Sequence, residues 1–363
     1  MFDEKYMRYA IELAKKGVGA VNPNPLVGAV IVKDDRIIGE GYHKKYGGLH
    51  AEREAFANLT EEAEGADMYV TLEPCCHHGK QPPCVEAIVE HKIKRVYVGS
   101  DDPNLLVSGK GYEYLRKHDI EVHTHILKEE CDALNDIFFH YITTKTPYVI
   151  MKYAMTMDGK IAAYTGKSKW ISNEASKLNS QELRNRCSGI MVGIGTVIID
   201  NPMLTCRLEG GHNPVRIICD TKLRISPESN IVKTAKDIRT IVVAGEGQNK
   251  KDKYNRLTEN NVEVIFIEEE NGEISLRKLM SKLGELGIDS VIIEGGGTLN
   301  YSALEAGIVN EVMIYMAPKV LGGKEALTAV EGQGFEEPDM AAHFNLQEVK
   351  NLDGDLLIRY VRK

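Results

Sequence analysis

The sequence predicts an α/β protein made of two consecutive layered domains. Three observations carry this expectation. The chain has 363 residues, which is long for a single hydrophobic core. Short apolar runs of strand type alternate with stretches of helical periodicity, the pattern of layered α/β folds. A short polar segment holding a helix-breaking proline, Thr143-Thr144-Lys145-Thr146-Pro147, interrupts that alternation and divides the chain into 1–146 and 147–363.

Residues 4–17 read as a helix, because Tyr6, Met7, Ala10, Ile11 and Ala14 recur at helical spacing and Gly17 is a stop signal. Two prolines keep Val21-Asn22-Pro23-Asn24-Pro25 out of any helix. Leu26–Val32 is an apolar strand, Asp34-Asp35 turns it, and Arg36–Gly41 returns as its hairpin partner. A helix over His50–Leu59 follows, with His50 in its first turn, then a strand Met68–Leu72 and a helix Cys84–His91. Strand Arg95–Gly99, helix Gly111–His118, strand Ile120–His125 and one long amphipathic helix Glu129–Thr143 complete an α/β/α layered domain. The second half reads as strand Tyr148–Ala154, helix Glu174–Arg186, strands Gly189–Ile194, Val215–Cys219, Thr240–Ala244 and Val262–Ile267, helix Ser275–Leu286, strand Ser290–Ile293 and helix Thr298–Ala306. Strands Glu311–Met316 and Asp355–Val361 end it, the last preceded by the Asp353-Gly354 turn signal.

Composition narrows the function. With 43% hydrophobic and 27% charged residues, the chain is ordinary for a soluble globular protein. A net charge of -8 argues against a nucleic-acid binder, which would show a basic face, but leaves room for a small anionic substrate. No apolar run is long enough to span a membrane, and the acidic start Met1-Phe2-Asp3-Glu4 gives no expectation of a signal peptide. Seven cysteines without a disulfide framework point to a reducing, cytoplasmic setting with thiols free or on metal.

The chemistry concentrates in residues 50–84. His50-Ala51-Glu52 opens this stretch and Glu73-Pro74-Cys75-Cys76-His77-His78-Gly79-Lys80-Gln81-Pro82-Pro83-Cys84 closes it. It offers an imidazole, a carboxylate and a pair of thiols, each beside an expected helix start, where the positive helix end lowers a thiol pKa and favours metal binding. Three protein ligands would leave the fourth tetrahedral position of a zinc ion open for a water, whose pKa falls towards 7, and Glu52 could take its proton. His-x-Glu followed by Pro-Cys-x-x-Cys marks zinc nucleobase deaminases. Here the first half matches, but eight residues rather than two separate Cys75 from Cys84. The plainer alternatives are two buried thiols with a solvated carboxylate, or a structural zinc completed by Cys76, His77 or His78. Cys76 is chemically able to replace Cys75, and since neighbouring side chains point in different directions, one of the two is a spectator.

Three strings, Asn22-Pro-Asn-Pro-Leu-Val-Gly-Ala-Val30, His50-Ala-Glu52 and Thr71-Leu-Glu-Pro-Cys75 with Gly79 to Cys84, resemble the pyrimidine deaminase of riboflavin biosynthesis. The long gap between the cysteines belongs to that family's pattern. The resemblance implies a cytidine-deaminase-like fold, zinc on His50, Cys75 and Cys84, proton transfer by Glu52, and a substrate pocket including Asn24, His43 and His77. Cys76 stands where that family usually has Ser, and Asp102-Pro-Asn-Leu105 replaces a more usual Asp-Pro-Asn-Pro.

In the second half the residues alone say less. Trp170, the chain's single Trp, reads equally as a core anchor. Glu294-Gly-Gly-Gly297-Thr298 follows a strand and opens a helix, which suits phosphate but also suits a tight turn. Arg184 and Arg207 could clamp a phosphate, or could be ordinary surface arginines. Together, however, Lys152-Tyr-Ala154, Thr156-Met-Asp158-Gly-Lys-Ile-Ala162, Ser168-Lys-Trp170, Gly193 to Thr196, Asp200-Asn-Pro-Met-Leu204 with Arg207, and Glu294 to Gly297 resemble the riboflavin-pathway reductase, in the order of the fused bifunctional enzyme. That resemblance implies a dihydrofolate-reductase-like α/β domain using NADPH. It assigns Ala154, Trp170, Thr196, Asp200, Thr221, Gly296, Gly297 and Thr298 to the cofactor. Ser168, Arg184, Leu204, Arg207 and Glu294 fall to a ribose-phosphate substrate, with Lys152 and Asp158 as candidate general acids. The expectation is therefore a cytoplasmic, homo-oligomeric enzyme acting on a small phosphorylated pyrimidine, without nucleic-acid or membrane partners. The rivals are a nucleoside or tRNA-type deaminase with an unrelated second domain, and an inactive zinc-stabilised binding module.

Overall fold

The computed structural model describes residues 3–78, 81–104, 107–247 and 251–363. The chain divides into two compact units, Met1–Lys145 and Thr146–Lys363.

The first unit runs α1 (Glu4–Lys15), β1 (Gly28–Lys33), β2 (Arg36–Tyr42), α2 (Ala51–Ala57), β3 (Asp67–Leu72), α3 (Cys84–Glu90), β4 (Arg95–Ser100), α4 (Lys110–Lys117), β5 (Glu121–His123), α5 (Lys128–Asp132) and α6 (Asp136–Thr144). Its sheet has the order β2-β1-β3-β4-β5. β1 is antiparallel to both its neighbours, and β3, β4 and β5 run parallel. Successive strand residues face opposite ways, and this sorts the core into two layers. Ala29, Ile31, Met68, Val70, Val96 and Val98 pack with Ala51, Ala55, Val85, Ile88 and Leu115 of α2, α3 and α4. Their strand neighbours Val30, Val32, Tyr69 and Tyr97 pack with Met7, Ala10 and Ile11 of α1 and Cys131 of α5. Burying each large apolar side chain contributes roughly 1.5–3 kcal/mol, so both layers are needed to hold the sheet. At Gly41 a Cβ would lie 2.4 Å from the Ala55 nitrogen and 2.5 Å from the Ala51 oxygen. Glycine there lets α2 lie directly on β2, which fixes the end of α2 that bears His50.

Two sequence expectations change here. His50 is the N-cap of α2, in extended conformation, and not a first-turn residue. The long helix over Glu129–Thr143 is two helices, α5 and α6, broken at Asn135. The buried Asn135 amide accepts from the Leu26 N–H at 2.8 Å and donates to the Leu26 carbonyl at 3.0 Å. A side chain committed to another segment's backbone competes with helix continuation. The same pair of bonds removes Leu26 from the sheet, so β1 starts at Gly28.

The second unit runs β6 (Tyr148–Thr156), α7 (Glu174–Arg186), β7 (Gly189–Gly193), α8 (Ile194–Asp200), β8 (Val215–Cys219), α9 (Asn230–Lys233), β9 (Thr240–Gly245), α10 (Lys251–Glu259), β10 (Glu263–Ile267), the small pair β11 (Glu269–Glu270) and β12 (Glu273–Ile274), α11 (Leu276–Glu285), β13 (Ser290–Ile293), α12 (Gly297–Glu305), β14 (Glu311–Ala317), β15 (Phe344–Leu352) and β16 (Asp355–Arg362). Its main sheet has the order β10-β9-β8-β7-β13-β6-β14-β16-β15. The strands from β10 through β14 in that order are parallel, and β16 and β15 are antiparallel. β9 and β13 are buried along their whole length, as parallel strands covered on both faces must be. Leu276, Leu279, Met280 and Leu283 of α11 and Leu299 and Ala303 of α12 cover one face over Val149, Met191, Ile217, Val243 and Val291. β15 and α10 are absent from the sequence expectation. β15 is an edge strand with nearly every residue exposed, and α10 buries Leu257 alone, so neither has a strong apolar period. Among the described residues, no helix is long and apolar enough to cross a membrane.

Candidate active sites

In the first unit three segment ends converge. The chain leaves β3 through Glu73 and Pro74 to Cys75. The prolines before Cys84 start α3, and His50 caps α2. His50 Nδ1 lies 3.5 Å from Cys75 Sγ and 3.4 Å from Cys84 Sγ. The Cys84 N–H donates to Cys75 Sγ at 3.4 Å, and all three ligand atoms lie within 4.8 Å of one another. Zinc–sulfur and zinc–nitrogen bonds of about 2.3 and 2.05 Å at a tetrahedral angle span an N···S edge of about 3.6 Å. The donor set therefore fits a zinc ion in chemistry and in size, with one position left over.

Glu52 lines the same cleft, a cavity of about 350 Å³. It is 4% exposed, and burial first, then the charge of Cys75, push its carboxyl up to about 7. Hydrogen bonds from Cys84 and then from His50 hold the Cys75 thiol down at about 4, against the opposing effect of burial. Cys76 turns away from this group and packs against the apolar layer under α2, α3 and α4. Of the two neighbouring thiols, it is the Cys75 sulfur that lies with His50 and Cys84.

Asn24, His43 and His77 all line this cleft. His43 Nδ1 meets the Leu49 carbonyl at 2.8 Å, so it carries the proton. Its Nε2 then accepts from Asn24 Nδ2 at 3.1 Å, which leaves the Asn24 oxygen as an unengaged acceptor in that pair. Burial lowers the His43 pKa and keeps the ring neutral. His77 Nδ1 is buried without a partner among the described residues. Gly79, Lys80 and Leu105, which belong to the motifs quoted above, lie outside the described residues.

One residue the sequence reading passes over is Glu73. Its buried carboxylate accepts from the N–H groups of Gly109 and Gly111, both at 3.1 Å, and more distantly from Asp102. A Cβ on Gly111 would lie 2.4 Å from the Pro74 oxygen. Glu73 and Gly111 together pin the turn that presents Cys75. The signal available in the sequence is an acid between a buried strand and a proline.

Two clefts in the second unit gather the candidate residues. One, of about 690 Å³, is lined by Lys152, Ala154, Ser168, Trp170, Arg184 and Arg207 among others. Trp170 is 66% exposed with Lys177 Nζ 3.7 Å from its ring centroid, so it is a cleft wall and not a core anchor. Arg184 is not a free phosphate clamp. Its Nε and Nη2 grip both oxygens of Glu294 at 2.8 and 2.7 Å, and its Nη1 donates to the Thr205 carbonyl. Burial alone would raise the Glu294 carboxyl, but Lys152 and Arg184 outweigh it and hold it below its ordinary value. Lys152 is half-buried on the wall of this cleft, and desolvation lowers its pKa. Asp158 accepts from the Thr156 hydroxyl at 2.5 Å and from the N–H groups of Gly322 at 2.6 Å and Leu321 at 3.1 Å. These bonds, the Thr156 hydroxyl first, hold it down at about 2 and tie the 156–158 turn to the 321–322 loop. Leu204 is buried with φ 51° and does not line this cleft.

The other cleft, of about 450 Å³, brings together Thr196, Thr221, Gly296 and Thr298 with Lys222 and Arg224. Gly295 and Gly296 have φ of 127° and 79°, conformations that side chains resist, and they turn β13 into α12. The N–H groups at the start of α12, where Gly297 is its first residue, suit a phosphate. Asp200 is exposed at the end of α8 and does not line this cleft.

An open zinc-type site with a buried glutamate beside it is the arrangement of a hydrolytic deaminase, and a glycine-loop cleft at a helix start suits a phosphate-bearing ligand. Comparison with known proteins agrees. Residues 1–100 match the cytidine and deoxycytidylate deaminase zinc-binding region, and residues 147–358 match the RibD C-terminal domain. The chain is 50% identical over 362 residues to the riboflavin biosynthesis protein RibD of Actinobacillus pleuropneumoniae, covering 99% of this chain and 96% of the relative. It is 42% identical to RibD of Bacillus amyloliquefaciens at the same coverages. The crystal structure of the Thermotoga maritima diaminohydroxyphosphoribosylaminopyrimidine deaminase/5-amino-6-(5-phosphoribosylamino)uracil reductase superposes with a TM-score of 0.87 at 39% identity, covering 99% of this chain and 98% of that one. The first crystal form of Acinetobacter baumannii RibD gives 0.88 at 36% identity, with the same coverages. The chain belongs to the RibD family of riboflavin biosynthesis proteins. It is a bifunctional enzyme, with a cytidine-deaminase-like domain followed by a RibD reductase domain, which is the fold class the sequence predicts.

Proposed function

We propose that residues 1–146 deaminate 2,5-diamino-6-ribosylamino-4(3H)-pyrimidinone 5′-phosphate and that residues 147–363 reduce the ribosyl group of the product to ribityl with NADPH. The observation that carries the first half is the pair of 3.4–3.5 Å separations from His50 Nδ1 to the two sulfurs, beside the buried Glu52. His50, Cys75 and Cys84 would hold zinc, which supplies a water acidic enough to act at neutral pH. Glu52 is placed to take a proton from the attacking water and to hand it to the departing ammonia. Its elevated pKa suits a group that must both accept and release a proton. The Asn24 oxygen, oriented through His43 and Leu49, accepts from a ring N–H, and His77 supplies a further polar contact.

In the second domain NADPH, when bound, would supply the hydride. Its pyrophosphate suits the Gly296–Thr298 helix start, with Thr196 and Thr221 alongside and Ala154 and Trp170 towards the substrate cleft. Lys222 and Arg224 line the same cleft at the end of β8, away from β6 in the sheet order, and two cations there favour a 2′-phosphate over a 2′-hydroxyl. The substrate phosphate and ribose fall to Ser168, Arg207 and the two remaining donors of Arg184. Glu294 orients Arg184 and neutralises Lys152, which is left as the proton donor. Among the described residues, Asp200 and Leu204 are not part of the lining of these two clefts. A homo-oligomer agrees with the exposed Leu346 and Val349 on the edge strand β15.

The test is to give the zinc-loaded protein the diaminopyrimidinone phosphate with and without NADPH and to identify the products. Ammonia should be released in both cases, and the ribityl product should form only with NADPH. A zinc-loaded protein that releases no ammonia from this substrate overturns the reading.

A further inference from the structure

We propose that Arg53 is a positioning residue for the zinc site, fixing Cys84 relative to His50; this rests on the zinc reading above. Arg53 follows Glu52 in the first turn of α2 and points to the segment that precedes α3. Its Nε donates to the Pro82 carbonyl at 3.0 Å and its Nη2 to the Pro83 carbonyl at 2.8 Å. One edge of the guanidinium thus grips two consecutive carbonyls. Those two residues are prolines and have no backbone N–H, so their carbonyls are the only backbone groups by which the segment can be held. The next residue is Cys84, whose own N–H is directed at Cys75 Sγ, and the Val85 N–H donates to the Cys75 carbonyl at 3.2 Å.

The approach to Cys84 is therefore held from two sides. Its N–H groups are tied to Cys75, and its carbonyls are tied to the helix that carries His50 and Glu52. Without Arg53 this polar tie is gone, and only the apolar packing of Ala51 and Ala55 with Val85 and Ile88 still references Cys84 to His50. A guanidinium presents two parallel donors in a fixed plane, and an ammonium cannot hold two carbonyls with the same geometry. Groups that orient metal ligands from outside typically change metal affinity by about 10–100-fold when removed.

The experiment uses the full chain as wild type, Arg53→Met and Arg53→Lys. Three quantities are read: zinc affinity by competition with a chromophoric chelator, the melting temperature of the metal-stripped protein, and ammonia release by the reloaded protein. Arg53→Met should weaken zinc about 10–100-fold. Arg53→Lys should fall between Arg53→Met and wild type. The metal-stripped melting temperature should stay within about 2 °C of wild type, because a partly exposed side chain adds little to the fold itself. Zinc affinity within twofold of wild type in Arg53→Met overturns the proposal. So does a loss of affinity accompanied by a fall of about 5 °C or more in the stripped protein, since that marks a general structural role. A wild-type protein that holds no zinc overturns the zinc reading instead.

Discussion

The two domains assemble their sites in different ways. In the first, the three candidate ligands and Glu52 all come from residues 50–84, and the ligand atoms already lie within 4.8 Å of one another. In the second, the lining of the two clefts runs from Lys152 to Ser302 and is drawn from strands, loops and a glycine turn. Inner-sphere metal chemistry requires donors at about 2 Å, which only a few rigid segment ends can deliver. A dinucleotide and a sugar phosphate are held over an extended surface by many weaker contacts, several of them from backbone. The first site should therefore fail abruptly on single changes, and the second should degrade by steps.

The sharpest way to break this contrast is Glu52→Gln. The change keeps the shape of the side chain and removes its proton transfer, which is typically worth about 10²–10⁴ in rate. Ammonia release should fall by that factor, with zinc content unchanged and with undiminished NADPH oxidation on substrate deaminated beforehand. Steady-state kinetics on the two half-reactions, with metal analysis, checks this. A loss of less than tenfold would remove Glu52 from the acid–base role.

The next largest effect falls on the second domain and concerns stability. The Glu294 side chain is 10% exposed beside Arg184 and Lys152, and its removal leaves two half-buried cations without their counter-charge. Breaking such a buried arrangement from one side costs about 3 kcal/mol. Glu294→Gln should therefore lower the melting of the second domain by about 6–12 °C while zinc retention in the first is untouched. An unchanged melting profile would mean that Lys152 already sheds its proton in the folded protein.

The same contrast explains how much of the molecule is legible in its sequence. The layered fold is, because strands such as Ile31–Val32 and Met68–Val70 send alternate residues to opposite cores, and the helices carry matching apolar faces. The break at Asn135 is not, because the partner that stops the helix is the backbone of Leu26, distant in sequence. β15 is hidden for the opposite reason, since an exposed edge strand has little pattern to read. In the first site, the His-x-Glu string at His50 and Glu52 and the later thiols stand out because an open zinc site needs those atom types, while the preference for Cys75 over Cys76 comes from the family resemblance and not from spacing. Arg53 and Glu73 do not stand out, because they bind backbone, and nothing in residue type reveals a carbonyl or an N–H as a partner. In the second site, residue type alone does not distinguish Thr196, which lines the glycine-loop cleft, from Asp200, which does not.

A smaller effect concerns the Asp158 latch between the 156–158 turn and the 321–322 loop. Its pKa, held at about 2 by Thr156, Gly322 and Leu321, lies below the ordinary 3.8. The latch is therefore fully present above about pH 4 and is lost as pH falls through about 2. Amide protection at Leu321 and Gly322 should hold from neutral pH down to about 4 and then decline. Asp158→Asn should reproduce the low-pH behaviour at pH 7. Full protection in that variant would dissolve the latch.

The smallest expected effect tests the finest point of the first site. Cys75 and Cys76 are identical in chemistry and adjacent in sequence, and only placement tells them apart. The Cys75 sulfur faces His50 and Cys84, whereas Cys76 lies against the apolar layer and burial raises its thiol pKa. Cys75→Ser should lose zinc and ammonia release together, because a neutral hydroxyl is a poor zinc ligand. Cys76→Ser exchanges one small half-buried group for another and should cost less than about 1 kcal/mol, with zinc stoichiometry and both activities kept. Metal analysis of the two variants side by side decides the matter. Zinc lost from Cys76→Ser and kept by Cys75→Ser would mean that the turn after Pro74 presents the other sulfur, and the anchoring of that turn by Glu73 and Gly111 would then have to be reread from the backbone up.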